Sequence, residues 1–409
     1  MRGNEFLDKM ELIDPAYVEV ADAKPKGRKI AWVKWGAVAA CFCLVVASAL
    51  MIPRIWNTPV PPPNSDPITS DTAKLKPITI PELSAGGMGF EGYMYHDISE
   101  LNNGNPWDES MSISSLPVYK NGAYDSSGAG FPKGMSEAEM MAKLNFIVSA
   151  LDLEIVSTEV IAGGFIVKDG KTVPDTTPTE IHAKTDNGII YVQADGNITY
   201  FLSDEGLDLP DNYNFTYSKT TDDEAKDILS YFIDAYDDLL NFKKPNAVSS
   251  GDYNIYGEFN RSYIVYDTAG DDLESILNYN FCSVKFSPND YGNLSAISIN
   301  DGLFLAEKIG DYPIVAAEKA TERLISGNYQ TSVPVEFPGK EFIGKIELVY
   351  RAGRFEEVLL PYYRFYVQLP DTVNQSAAEK GLKTYGGYYV PAIEDEYITN
   401  MPLYDGSFN

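Results

Sequence analysis

Histidine occurs twice and cysteine three times in 409 residues, and those scarcities remove most catalytic chemistry from consideration. His96 and His182 stand far apart, no H-E-x-x-H is present, and no paired cysteines lie outside one apolar run. Metalloprotease and structural-zinc readings therefore lose their minimum parts. No G-x-S-x-G elbow occurs, so an esterase would lack its nucleophile turn. Cys41 and Cys43 fall inside the apolar run, which leaves Cys282 as the only thiol of the body and excludes a disulfide framework. Strand alternation over residues 279–286 puts Cys282 on the face of Val284 and Phe286, as a buried apolar residue rather than a nucleophile. Beyond residue 76 only Trp107 remains of four tryptophans. Basic residues are also short, 32 against 59 acidic ones, for a net charge of −27. Residues 1–34 hold seven basic and six acidic side chains, leaving 25 and 53 for residues 35–409. A body so acidic repels nucleic acid.

What the chain does have is one apolar run. Residues 35–52 are eighteen positions without charge or proline, the length a helix needs to cross a bilayer. Trp35 and Trp56 bracket the run, about 31 Å apart at the helical rise, close to the hydrocarbon thickness. Lys24, Lys26, Arg28, Lys29 and Lys34 precede it, whereas Arg54 alone follows closely. The positive-inside bias places residues 1–34 in the cytoplasm and the body outside. Pro53 suits the helix end. Two other readings stay open: Ala47-Ser48-Ala49 has the form of a signal-peptidase site, and Val38-Ala39-Ala40-Cys41 that of a lipoprotein cleavage box. All three put the body outside the cytoplasm.

Six segments follow from the pattern. In the stub, residues 1–34, Phe6, Leu7, Met10 and Ile13 recur at helical spacing, opposed by Glu5, Asp8, Lys9 and Glu11. A helix of about ten residues cannot hold that stripe in water unaided, so it needs a partner or the membrane surface. Residues 35–52 form the transmembrane helix and residues 53–76 a Pro-rich linker, stiff and extended at 58–67. Residues 77–210, 211–310 and 311–409 read as tandem helix-plus-antiparallel-sheet modules of class α+β. Ser136-Glu-Ala-Glu139 and Thr221-Asp-Asp-Glu224 are capping boxes. They open helices with stripes Met140, Leu144, Val148, Leu151 and Ala225, Ile228, Leu229, Phe232. A third helix is expected over about residues 314–326, entered through Pro313 and closed by Gly327. Strand-like runs follow each helix, and the helices recur every 85–90 residues or so.

Other motifs carry less. Gly87-Met-Gly89-Phe-Glu-Gly92 matches the dinucleotide fingerprint, but Tyr93-Met-Tyr95 continues it with strand-like residues where a helix N-terminus is required. Acidic pairs such as Asp222-Asp223 and Asp271-Asp272 lack the D-x-[DN]-x-[DN]-G calcium loop, and first-turn acids favour a helix dipole. Twenty-eight tyrosines cluster late in the chain, and Tyr362, Tyr363, Tyr366, Tyr388 and Tyr389 form a candidate aromatic surface. The competing explanation is that tyrosine fits half-buried strands.

The head, with Asn4-Glu-Phe-Leu-Asp-Lys9, Ile13-Asp14, Trp32-Val-Lys-Trp35 and Ala39-Ala-Cys41, resembles single-pass membrane proteins of Gram-positive bacteria often encoded beside alternative sigma factors. The likeness continues in Leu116-Pro-Val-Tyr-Lys-Asn121, Pro361-Tyr-Tyr-Arg-Phe-Tyr366, Tyr385-Gly-Gly-Tyr-Tyr-Val-Pro391 and Tyr404-Asp-Gly-Ser-Phe-Asn409. It implies an anti-sigma-factor-like or sensory membrane protein with PepSY-like extracytoplasmic modules. The stub offers one short helix and a turn where an anti-sigma domain has several helices. The resulting expectation is a non-enzymatic membrane-anchored regulator with no catalytic, metal or cofactor residues. Phe6, Leu7, Met10 and Ile13 would contact a sigma factor or another membrane regulator. The alternative is a surface-displayed binder of cell-wall glycan or peptide through its tyrosines, and an exported hydrolase ranks last.

Overall fold

The chain divides into two units, Met1–Asp71 and Thr72–Asn409. The computed structural model describes residues 75–80, 94–95, 104–125, 131–168, 171–203, 209–210, 213–217, 219–253, 259–289 and 291–407, all in the second unit. The stub residues Phe6, Leu7, Met10 and Ile13 and the apolar run at 35–52 lie outside them. No helix of the described residues is long and apolar enough to cross a membrane.

Strands β1 (Met94–Tyr95) and β2 (Ser115–Asn121) precede helix α1 (Glu137–Ala150). Ser136 opens α1: its hydroxyl accepts from the Glu139 amide, and the Glu139 carboxylate accepts from the Ser136 amide at 2.7 Å. Strand β3 (Ile155–Ala162), the hairpin β4 (Phe165–Lys168) and β5 (Lys171–Pro174), then β6 (Pro178–Thr185), β7 (Gly188–Gln193) and β8 (Ile198–Leu202) follow. Thr221 and Glu224 make the same reciprocal cap on α2 (Asp222–Ala235), which runs on into α3 (Asp237–Leu240). Strands β9 (Pro245–Tyr253) and β10 (Phe259–Asp267) lead to α4 (Asp272–Phe281), β11 (Cys282–Pro288) and β12 (Leu294–Asp301).

Eight of these strands form one antiparallel sheet in the order β3-β6-β7-β8-β12-β11-β10-β9. Each half is a four-stranded meander preceded by its helix, and the halves meet edge to edge where Tyr200 pairs Ile297 and Ile198 pairs Ile299. The order reads inward from both ends, which gives the sheet an approximate two-fold arrangement about the β8–β12 seam. Helices α1 and α2 bury Met140, Leu144, Ile147, Ile228, Leu229 and Phe232 on a single core with Ile181, Val192, Tyr200, Val265, Phe286 and Ile297. The sheet therefore runs unbroken through the module boundary expected at residue 210.

The last third adds β13 (Ala306–Pro313), α5 (Ala317–Ile325), β14 (Gln330–Thr331), β15 (Ile343–Tyr350), β16 (Val358–Leu359), β17 (Pro361–Gln368), α6 (Gln375–Glu379) and β18 (Thr384–Pro391). Strand β13 spans the boundary expected at residue 310 and pairs with β2, which also pairs β16. Strands β15, β17 and β18 form the second sheet, with β1 and β14 both on the far edge of β18. Helix α5 starts three residues later than its sequence pattern implies, because the Val315 amide is bound to the Ala392 carbonyl. Gly327 takes φ +83° just past its end, a conformation that favours glycine.

Helix α4 corrects the sequence reading, which begins a strand at residue 279. Asp271 is its N-cap, accepting from the Glu274 amide at 2.9 Å. The helix lies between β10 and β11 on one side and β15 on the other, so Ile276, Leu277 and Phe281 enter the core of the second sheet with Leu348, Tyr363, Phe365 and Tyr388. The fold is mixed α+β and mostly sheet.

Candidate functional site

The five tyrosines expected to form an aromatic surface are buried: Tyr362, Tyr363, Tyr366, Tyr388 and Tyr389 are each at most 2% exposed. The correction has a simple cause. Strand β17 lies between β15 and β18, and both faces of this sheet are covered, so alternation brings neither set of rings to solvent. Tyr363 and Tyr388 lie under α5 and donate to the carbonyls of Val315 and Val335, each at 2.7 Å. Burial pushes the Tyr363 hydroxyl up to about 12. On the opposite face Tyr362 and Tyr389 pack with Ile78, Ile80 and Tyr312.

That opposite face carries two charged clusters that pattern alone does not reveal. Glu347 pairs with Arg364 and Lys345, each at 2.5 Å, and accepts from the Tyr366 hydroxyl at 3.0 Å. Burial opposes ionisation of Glu347, but Arg364 and Lys345 together outweigh it and hold the carboxyl below its ordinary range. Arg351 pairs with Glu356 at 2.5 Å, donates to Gln330, and stacks near the rings of Tyr362 and Tyr389 at 5.4 and 5.8 Å. Here burial wins, and the Glu356 carboxyl is raised despite its guanidinium partner. Glu347 is 1% exposed and tied to two cations, so it anchors strands rather than exchanging protons with a substrate.

Cys282 begins β11 against the second core, and burial, reinforced by nearby Asp301, pushes its thiol up to about 12. That removes nucleophilic character at neutral pH. Among the described residues no group of three or more His, Cys, Asp or Glu side chains is placed to hold a metal ion.

The accessible chemistry lies on the first half of the eight-stranded sheet, on the face away from α1 and α2. On β6, Glu180, His182 and Lys184 alternate with buried Thr179, Ile181 and Ala183. On β7, Ile189, Tyr191 and Gln193 alternate with buried Ile190 and Val192. Register then does what sequence does not. His182 pairs Tyr191 and Ile189 pairs Phe201, so a row crosses three strands with ring centres 4.5 Å apart for His182–Tyr191 and 5.7 Å for Tyr191–Phe201. Phe201 is 53% exposed and Ile189 37%. Glu180 borders the row, bonded to His182 at 2.8 Å and to Gln193 at 2.9 Å. The rings meet edge to face, at 64° and 82°, so they present no flat platform for a sugar ring. They make an apolar patch rimmed by Glu180 and Lys184.

The corresponding face of the second half is covered at one end, by α4, and leaves Lys285 of β11 exposed. There α4 covers β10 and β11, Tyr266 is 2% exposed, and Tyr279 packs edge-on against it at 5.3 Å. Comparison of the chain with protein-family models, with curated proteins and with solved structures finds no match in any of the three.

Proposed function

We propose that the chain is a non-enzymatic, single-pass membrane regulator of the anti-sigma-factor-like kind. Its extracytoplasmic α+β body docks a protein partner, and its cytoplasmic stub transmits the result through Phe6, Leu7, Met10 and Ile13. The apolar run at 35–52, with basic residues on one side, supports the anchor and its orientation. The two halves of the large sheet are each a helix and an antiparallel meander, in keeping with paired PepSY-like modules fused edge to edge. One observation carries the reading: of two similar sheet halves, one is partly covered by α4 while the other holds Ile189 and Phe201 open to solvent beside a half-buried Tyr191. Exposed apolar clusters with a polar rim mark protein-docking sites.

The test compares transcripts in cells carrying the full chain, a Phe201→Lys chain, or none. The expected result is a defined set of transcripts that changes on deletion and changes likewise with Phe201→Lys, at unaltered protein level. Three identical profiles would sink the proposal. Cell-wall glycan binding is the second reading, kept for the aromatic character of the same row. It gains only if the body pellets with purified peptidoglycan and Phe201→Lys abolishes pelleting.

A further inference from the structure

We infer that β3 is a self-association edge, on which a second copy of this chain pairs antiparallel about a two-fold axis through Thr158. Strand β3 ends the eight-stranded sheet, and its five consecutive residues 156–160 are all exposed. Val156 is 62% exposed and Val160 42%. An exposed, β-branched edge without proline is the kind of template that natural sheets otherwise guard. The opposite edge is partly occupied: Gly104 lies against Val248 of β9, and its carbonyl accepts from the Tyr266 hydroxyl.

The sequence of the strand identifies the occupant. Residues 155–161 read Ile-Val-Ser-Thr-Glu-Val-Ile, nearly a palindrome about Thr158. In an antiparallel pair centred there, Thr158 meets Thr158, Val160 meets Val156 and Ile161 meets Ile155 of the other copy. Glu159 meets Ser157, so the two carboxylates never face each other, and a hydroxyl stands where one is needed. The neighbouring strand completes the match. Lys184 is exposed and pairs with Ser157 across β3–β6, so it flanks the position that Glu159 of the second copy would take. Register shifts between Ile155 and Ser157 and between Ile161 and Ala162 confine regular pairing to the strand centre. The seam would extend the eight strands to a continuous sheet by the same strand-edge device that joins its two halves at β8–β12.

The test uses the full chain in membranes, in a Cys41→Ser, Cys43→Ser background, with the half-buried Cys282 retained as a native-thiol control. Directly opposed residues lie about 4.5–5.5 Å apart at Cα, within disulfide reach. Thr158→Cys should form a cross-linked dimer on mild oxidation, and Ser230→Cys, exposed on α2, should not. Ser157→Cys and Glu159→Cys should each fail alone yet cross-link when co-expressed. Adding Val160→Lys, at an unchanged melting temperature, should cut the Thr158→Cys dimer by about tenfold or more. Equal cross-linking at residues 158 and 230, or cross-linking indifferent to Val160→Lys, overturns the inference.

Discussion

Replacing Glu347 by glutamine isolates the buried charge on β15, the last strand of the second sheet, while keeping its shape. The carboxylate is 1% exposed and holds Arg364 and Lys345, whose side chains remain 15% and 28% exposed. Removing one partner of a buried pair costs about 3–5 kcal/mol, and the residual hydration of the two cations reduces this to about 2–3 kcal/mol. Trp107 provides a local readout, since its ring packs edge-on against Tyr363 at 5.5 Å in the adjoining core. With Trp32, Trp35 and Trp56 changed to phenylalanine, indole fluorescence in urea follows this sheet alone. The pH dependence gives the sign. Glu347 titrates lower in the folded chain than its unfolded value of about 4.3, so its stabilisation is present above that value and lost as pH falls through the folded one. The gap between parent and Glu347→Gln should thus be full at pH 7 and close below about pH 4. Glu356 behaves oppositely, because burial raises its folded value. Its contribution is largest below the unfolded value and shrinks as pH rises through the folded one, so the gap to Glu356→Gln should narrow from pH 4 towards pH 7. Two profiles of the same slope, or a Glu347→Gln cost under about 0.5 kcal/mol, would refute the assignment of these carboxylates.

In the folded chain with Cys41 and Cys43 changed to serine, iodoacetamide at pH 8 should label Cys282 roughly a thousandfold more slowly than an ordinary thiol, because a group titrating near 12 is scarcely thiolate there. Mass spectrometry showing rapid labelling before unfolding would contradict its burial. Gly188→Ala should lower stability by about 2 kcal/mol or more, since a Cβ there collides with the backbone carbonyl of Phe201 across the β7–β8 ladder. An unchanged urea midpoint would mean that this register is wrong. On the two sheet halves similar truncations should diverge: Tyr266→Ala, beneath α4, costs about 3 kcal/mol, and Tyr191→Ala, on the open face, under about 1 kcal/mol. Equal costs would mean that both faces are covered.

Local signals were legible where short-range chemistry decides the outcome. Ser136 with Glu139 and Thr221 with Glu224 sit three residues apart, and both caps form as their spacing demands. Residues 198–202 form a strand with the bounds that alternation indicates. Asp271-Asp272 was readable in the same way, as an N-cap with Glu274 three residues on, but it passes for a simple acidic pair. The tyrosines of β17 and β18 were not legible. Period-two alternation names two faces of a strand, and only the distant partners, Ile78 and Ile80 on one side and α5 on the other, decide that both are closed. The row of His182, Tyr191 and Phe201 is likewise a product of register, which no single strand encodes.

The unequal fate of the two sheet halves traces to one connection. Strands β6 and β7 are joined by a tight turn at Asp186 and Asn187, whereas β10 and β11 are joined by a segment long enough to hold α4. Folding that segment over its own meander delivers Ile276, Leu277 and Phe281 to the core of the second sheet, so the inserted helix decides which half is covered. The first half, lacking such an insertion, keeps Ile189 and Phe201 exposed and Tyr191 half-buried, at a cost in hydration that folding alone leaves uncompensated. The partner proposed for that face would have to supply what α4 supplies on the other half: apolar side chains on a rigid element, with groups at its rim to meet Glu180 and Lys184.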